Sequence, residues 1–371
     1  MQINCECKPH FIHGAFAEYY VADCLMNRLT EGNNTSQQFH TFILKDIFLD
    51  VDYEVIRSFP DGLLSRRNPK KEVLEQYGSQ IQDLRTCDHL MLRNAAFEGN
   101  VNIIQFLFAS VQAGDHRDTI KAMLLPKHSN GFTAWHISVD SNNTHMLEKL
   151  WEWAEKKLTA QELKYKFLIS RVILNLKRSS EKSWWNTRRD PSMVWRKKIE
   201  LLQHDIILEY LPFQENTVWH VAAYFGNLKV LEKLWDWAKE KLSAEEINKL
   251  LLANNEGRTA WYLAAKRGNI ETLQKVWMWA EEKLTRDEIT NKFLLGTESR
   301  GSTAWQCASL LGNTQLLHKI LELAEKNLTR EEMKNKMLLV TDNRGRTAWH
   351  LAAENGHVQV LHNVGNGLKR K

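Results

Sequence analysis

A tryptophan-centred phrase recurs along the chain and limits what it can fold into more than any other feature. FTAWHISV, TVWHVAAYFGN, RTAWYLAAKRGN, STAWQCASLLGN and RTAWHLAAENGH place Trp135, Trp219, Trp261, Trp305 and Trp349 at spacings of 84, 42, 44 and 44 residues. Because 84 is twice 42, the spacing predicts one more unit hidden between Trp135 and Trp219, and MLRNAAFEGNVNII anchors another at Leu92, 43 residues before Trp135. Seven units then fit residues 88–371, the last cut short. A fixed period of this size, in units too small to bury their own apolar face, is the sequence signature of a stacked solenoid.

Within a unit the pattern is helical. Val230, Leu231, Leu234, Trp235 and Ala238 fall on one face of a helix, and the shorter run Trp219–Phe225 stops at Gly226 after a start at Thr217, an N-cap residue type. Polar stretches such as Asn254–Thr259 supply a turn into the next unit. Only 17 glycines and 6 prolines occur in 371 residues, which argues against a turn-rich all-β chain, and 43% hydrophobic with 26% charged residues excludes a disordered one. Thr159, Ser243, Thr285 and Thr329 each precede a glutamate by three positions (Glu162, Glu246, Glu288, Glu332). These capping boxes predict a third helix per unit, with Ile289, Phe293 and Leu294 on its buried side. Trp153, Trp237 and Trp279, off the main stripe of the second helix, are expected to receive it.

The phrase T-A-W-H-L-A-A-x-x-G resembles the ankyrin-repeat signature T-P-L-H-x-A-A-x-x-G over about three quarters of the chain, with Trp for Leu, Ala for Pro, and a period of 42–44 in place of 33. The resemblance implies an all-α ankyrin-repeat solenoid, and the third helix accounts for the extra length. It also implies a protein-interaction scaffold that needs no cofactor.

The tryptophans recur with Leu and Ala at helical spacing, so they are expected in the core and not as a stacking platform for bases. His136, His220 and His350 occupy a position that Tyr262 and Gln306 fill elsewhere, which suits a turn-fixing hydrogen bond better than catalysis. No phosphate-binding loop, H-E-x-x-H or G-x-S-x-G is present, so no enzyme is expected. Five scattered cysteines form no C-x-x-C and suggest neither a disulfide framework nor a metal site. They point to a reducing compartment, the cytoplasm or the nucleus, and no apolar run is long enough to span a membrane.

The hidden unit, residues 171–214, is distinct in charge. Between 171 and 198 it carries nine basic residues against Glu181 and Asp190, a local balance of +7, with Trp184, Trp185 and Trp195 interleaved, whereas the whole chain is only +5. Two readings stand: contact with nucleic acid or an acidic partner, or a degenerate repeat whose charges are solvated.

Residues 1–38 differ from the repeats. In FIHGAFAEYYVADCL, Phe11, His13, Phe16, Glu18, Tyr19, Tyr20, Ala22 and Leu25 resemble the segment that closes the winged-helix region of NACHT-type signalling ATPases. The chain is thus similar to the C-terminal part of arthropod-type NACHT-ankyrin proteins of the STAND ATPase family. The resemblance maps His13 to the histidine that reaches the phosphates of ADP, orphaned here for want of a phosphate-binding loop. Residues 39–87 are expected to be a helical linker to the solenoid at 88–371.

By the ankyrin resemblance, the two x positions of the signature end the first helix and face the concave side, with the turns projecting beside them as fingers. These positions vary from unit to unit: Phe97 and Glu98, Asp140 and Ser141, Tyr224 and Phe225, Lys266 and Arg267, Leu310 and Leu311, Glu354 and Asn355, with Arg258, Arg300, Arg344 and Arg346 on the fingers. They are the expected partner-binding residues, with Tyr224, Phe225, Lys266 and Arg267 an aromatic-basic patch.

Overall fold

The computed structural model describes residues 14–31, 61–66, 69–83, 95–113, 117–125, 133–169, 171–172, 216–252 and 257–362, with the single positions 39, 43 and 92. Among these the chain is helical apart from one two-residue strand pair. It divides into two compact units, the second formed by 142–144, 159–173 and 213–371.

In the first unit, helix α1 (Gly14–Glu31) is followed by α2 (Lys71–Asp83), α3 (Val101–Ala113), α4 (Arg117–Leu124), α5 (Ala134–Asp140) and α6 (Thr144–Lys157). The linker helix α2 packs on α3, with Tyr77 edge-on to Phe106 at 5.3 Å. Asp61 caps the start of α3: its Oδ1 accepts the Ile103 N–H at 2.9 Å and its Oδ2 accepts Asn102 Nδ2 at 3.0 Å, a carboxylate at the positive end of the helix. Burial nevertheless pushes the Asp61 carboxyl above its ordinary range, outweighing those bonds and the pull of His145. Trp135 lies 5.9 Å from Trp151, and Trp153 stacks on Phe108 at 4.0 Å.

The second unit repeats a three-helix pattern. Helix α7 (Ala160–Leu163) continues into a wide turn at Lys164–Leu168. Then come α8 (Val218–Phe225), α9 (Leu228–Lys241) and α10 (Ala244–Leu252), followed by α11 (Ala260–Arg267), α12 (Ile270–Lys283) and α13 (Arg286–Ile289) with its wide turn Thr290–Leu294. After them are α14 (Ala304–Leu311), α15 (Thr314–Asn327), α16 (Arg330–Glu332) with Met333–Leu338, and α17 (Ala348–Glu354). The first helices stack in order, α8 on α11, α11 on α14 and α14 on α17.

The third helix is present and is started as expected. In Thr285–Glu288, for example, the Thr285 N–H donates to Glu288 Oε2 at 2.8 Å and the Glu288 N–H to Thr285 Oγ1 at 3.3 Å. The same exchange occurs at Thr159, Ser243 and Thr329. In three copies the helix then opens to i→i+5 bonding, as in Leu295 N–H to Thr290 O at 3.0 Å. Phe293 and Leu294 are both buried on this turn. What receives them differs from expectation. Phe293 meets Trp261 at 5.8 Å and Trp277 at 6.2 Å, whereas Trp279 points to the preceding repeat and lies 4.9 Å from Trp235 and 5.3 Å from Trp219. Trp153 on Phe108 does the same in the first unit, and Trp237 is half-buried. Trp153 and Trp279 therefore bridge repeats, because the flank of a second helix faces its neighbour's second helix.

The unit expected at 171–214 lies outside the described residues except for its first two positions, and the chain on either side of it is described. Lys164–Leu168 packs on α8 and α9 in the way that Thr290–Leu294 packs on α14 and α15, and Lys164 ion-pairs with Glu246. Strand β1 (Arg171–Val172) runs antiparallel to β2 (Asn216–Thr217), with Arg171 opposite Thr217 and Val172 opposite Asn216. Leu294 precedes Thr303 by nine positions and Leu338 precedes Thr347 by nine, but Leu168 precedes Thr217 by 49. The chain leaves one inter-repeat turn at 172 and returns to it at 216, with residues 173–215 between the two points. Their own fold lies outside the described residues.

Val172→Cys with Asn216→Cys should form a disulfide on mild oxidation, since facing residues of an antiparallel pair stand about 4.5–5.5 Å apart at Cα, within a disulfide's span. Peptide mapping reads the bond. Its absence in a variant with native circular dichroism would show that Val172 and Asn216 do not face each other.

Candidate interaction surface

Between repeats of the second unit the chain makes a tight turn closed by its own carboxylate. Gly301 (φ 76°) donates its N–H to Glu298 O at 2.8 Å, and Glu298 donates to Ser302 O at 3.1 Å. One repeat later Gly345 donates to Asp342 O and Asp342 to Arg346 O, both at 2.9 Å. The Glu298 carboxylate accepts the Arg300 N–H at 2.9 Å, and Asp342 Oδ1 accepts those of Arg344 and Arg346 at 2.9 Å each. The turns are tied together: Asn343 donates its N–H to Arg300 O at 3.0 Å and its Nδ2 to Ser299 O at 3.1 Å. A Cβ on Gly301 would sit 2.4 Å from Asn343 Oδ1, so both the positive φ and the contact require glycine there.

These bonds decide which arginines are on display. Arg346 donates Nε and Nη2 to Asp342 Oδ2 at 3.0 and 2.8 Å, and Nη1 to Glu354 at 3.0 Å. Burial pushes the Asp342 carboxyl up, but the bonds from Arg346 and Arg344 outweigh it and hold it below the usual carboxylate range. Arg258 occupies the equivalent position two phrases earlier, where Asn254 stands in the sequence place of Asp342 and offers no charge. Its guanidinium is buried and approaches Glu298 of the following turn at 3.7 Å. Arg258 and Arg346, expected on the fingers as partner-binding residues, are thus spent on holding the turns. Arg300 and Arg344, at equivalent places in consecutive turns, are exposed.

At the ends of the first helices the expected residues also divide. Tyr224 is only 2% exposed, so its expected role as a directly contacting residue is corrected: its ring lies against Phe225 at 5.2 Å and under the Arg267 guanidinium at 4.7 Å. Burial raises the Tyr224 hydroxyl above its ordinary value, with Arg267 pulling it back. Phe225 and Lys266 are half-buried and Arg267 is exposed. Burial lowers the Lys266 amine, and so do Arg258 and Arg300, while Cys307 and Glu298 act the other way. Tyr262, one turn before Lys266, lies 3.2 Å from Cys307 Sγ, and burial pushes that thiol up to about 11. Leu310 and Leu311 are each 44% exposed. Glu354 and Asn355 are exposed, the first engaged by Arg346 and the second donating Nδ2 to Leu351 O at 2.8 Å. In the first unit Phe97 and Glu98 are half-buried and Ser141 is exposed. His13, the Asp140 side chain and the basic run 173–198 lie outside the described residues.

The conserved-looking framework is structural in its geometry. Trp135, Trp219, Trp261 and Trp305 are at most 2% exposed, which leaves no face for a base or sugar. The Nδ1 of His136, His220 and His350 lies 2.8–3.0 Å from the Oγ1 of Thr133, Thr217 and Thr347 and accepts the same threonine's N–H, closing the helix start. Gln306 does this with Oε1 and spends Nε2 on Val340 O and Arg346 O of the next turn, at 3.1 and 3.0 Å. One element escaped the sequence reading: the Asn or His after each signature glycine. Asn269 Nδ2 donates to Tyr224 O at 2.8 Å, and His357 Nε2 lies 3.0 Å from Leu310 O, each sealing a helix end of the preceding repeat. The G-N, G-N, G-N, G-H recurrence was the available signal.

Among the described residues no group of His, Cys, Asp and Glu could hold a metal ion, and no helix is long and apolar enough to cross a membrane. No protein-family model matches the chain, and a search of the curated proteins finds no match.

Glu298→Gln should destabilise the protein by about 3 kcal/mol, because it removes the negative charge that faces the buried Arg258 guanidinium at 3.7 Å. Arg300→Gln, on an exposed side chain, should stay within about 0.5 kcal/mol. Urea midpoints compare the two, and equal shifts would mean that the Arg258 and Glu298 charges are not buried as a pair.

Proposed function

We propose that the chain is a non-enzymatic protein-interaction scaffold, an ankyrin-type solenoid that presents the ends of its first helices and its turns to a partner protein. One observation carries the reading. In the second unit the residues that repeat are consumed by packing and capping, while Arg267, Arg300, Leu310, Leu311 and Arg344, which do not all repeat, are exposed. Positions under no packing constraint are free to encode specificity. The resemblance of T-A-W-H-L-A-A-x-x-G to the ankyrin signature supports the same assignment, and the segment around His13 supports a descent shared with NACHT-ankyrin proteins. Fold alone does not identify the partner.

Affinity capture with the full chain, followed by cross-linking and mass spectrometry, tests the reading. Cross-links of a retained partner should cluster on residues 258–267, 300–311 and 344–355. Cross-links confined to the second and third helices would contradict it, as would retention of no protein.

A further inference from the structure

Positive charge gathers where α11 ends beside the turn 298–302. Lys266 feels Arg258 and Arg300 as like charges, with Glu298 acting the other way. Glu298 is already committed, to Arg258 by charge and to the Arg300 N–H by a hydrogen bond. Next to Lys266 stands Arg267, exposed and held in place by the Tyr224 ring beneath it at 4.7 Å. A cation fixed on an aromatic face loses less freedom when it binds, which favours recognition. On the far side of Arg267, Leu311 reaches to within 3.9 Å of where a Cβ on Gly268 would lie, so the exposed Leu310–Leu311 pair adjoins the cations. The next turn adds Arg344, joined to the first through the Asn343 N–H on Arg300 O.

Resting on the scaffold reading, we propose that this row binds an acidic, leucine-containing segment of a partner protein, with carboxylates at Arg267 and Arg300 and an apolar side chain on Leu310 and Leu311. Charge complementarity selects the occupant. A carboxylate takes a bidentate pair from an arginine and offsets the crowding of like charge around Lys266. An apolar neighbour removes the two leucines from water. A phosphate backbone fits less well: it has no use for a leucine pair, and the one aromatic ring that Arg267 faces is covered and cannot stack on a base.

Fluorescence anisotropy with the full chain tests this, using a labelled peptide of three Glu-Asp-Leu-Leu repeats as probe. A Lys-Lys-Leu-Leu counterpart and oligouridylate RNA serve as comparisons. The acidic peptide should bind, and the lysine peptide should not. Arg267→Glu and Arg300→Glu should each weaken binding about tenfold or more, Leu311→Asp should weaken it as well, and Lys334→Glu on a third helix should leave it unchanged, all with unaltered melting temperatures. Binding that ignores Arg267→Glu and Arg300→Glu overturns the proposal. So does RNA that binds with the same dependence on those arginines, which would assign the cations to phosphate. A partner cross-linked to this face together with no binding of the acidic peptide would sink this proposal while leaving the scaffold reading standing.

Discussion

Each repeat carries an apolar face that only its neighbour can cover, and the second unit depends on that dependence. The indole at the centre of the signature is its largest element. At roughly 25 cal/mol per Å² over about 150–250 Å², a buried tryptophan contributes on the order of 4–6 kcal/mol before conformational entropy is charged against it. Trp219, Trp261 and Trp305 reach that burial, and Trp279 adds a ring laid across the seam to Trp235. At the end of the described stack the same position, Trp349, is 42% exposed. Burial is a property of the neighbour as much as of the residue.

Function, on the reading proposed above, is what that packing leaves over. Repeating residues are constrained three ways: the indole by the core, the threonine and its His or Gln partner by the helix start, and the glycine with its following Asn or His by the helix end. Turn carboxylates impose a fourth constraint by drawing in Arg258 and Arg346. What remains on the surface is a short list of cations and two leucines, set on helix ends and on short turns closed by hydrogen bonds. Rigid placement limits the entropy lost on binding, the usual requirement for a specific surface.

The helices, their caps and the buried row of tryptophans were legible in the sequence because each rests on local chemistry repeated in register. Thr285 and Glu288, or Trp261 and Gly268, carry their roles in their spacing. Three features were not legible, for physical reasons. The pairing of Val172 with Asn216 joins residues far apart in the chain, a contact that carries no local signal. The direction of Trp279 depends on the twist between adjacent second helices, which no single-repeat pattern encodes. Exposure of the arginines turns on their partners: Arg258 and Arg300 are the same residue type on successive turns, and a carboxylate 40 residues downstream of Arg258 draws in the first and not the second.

The central claim, that stability in the second unit comes from the neighbour, is tested most directly by residue-resolved amide hydrogen exchange on the full chain. The account predicts the slowest exchange in Ala260–Arg267 and Ala304–Leu311, covered on both sides, and exchange faster by about a hundredfold or more in 348–362, covered on one among the described residues. Equal protection in the two regions would contradict it.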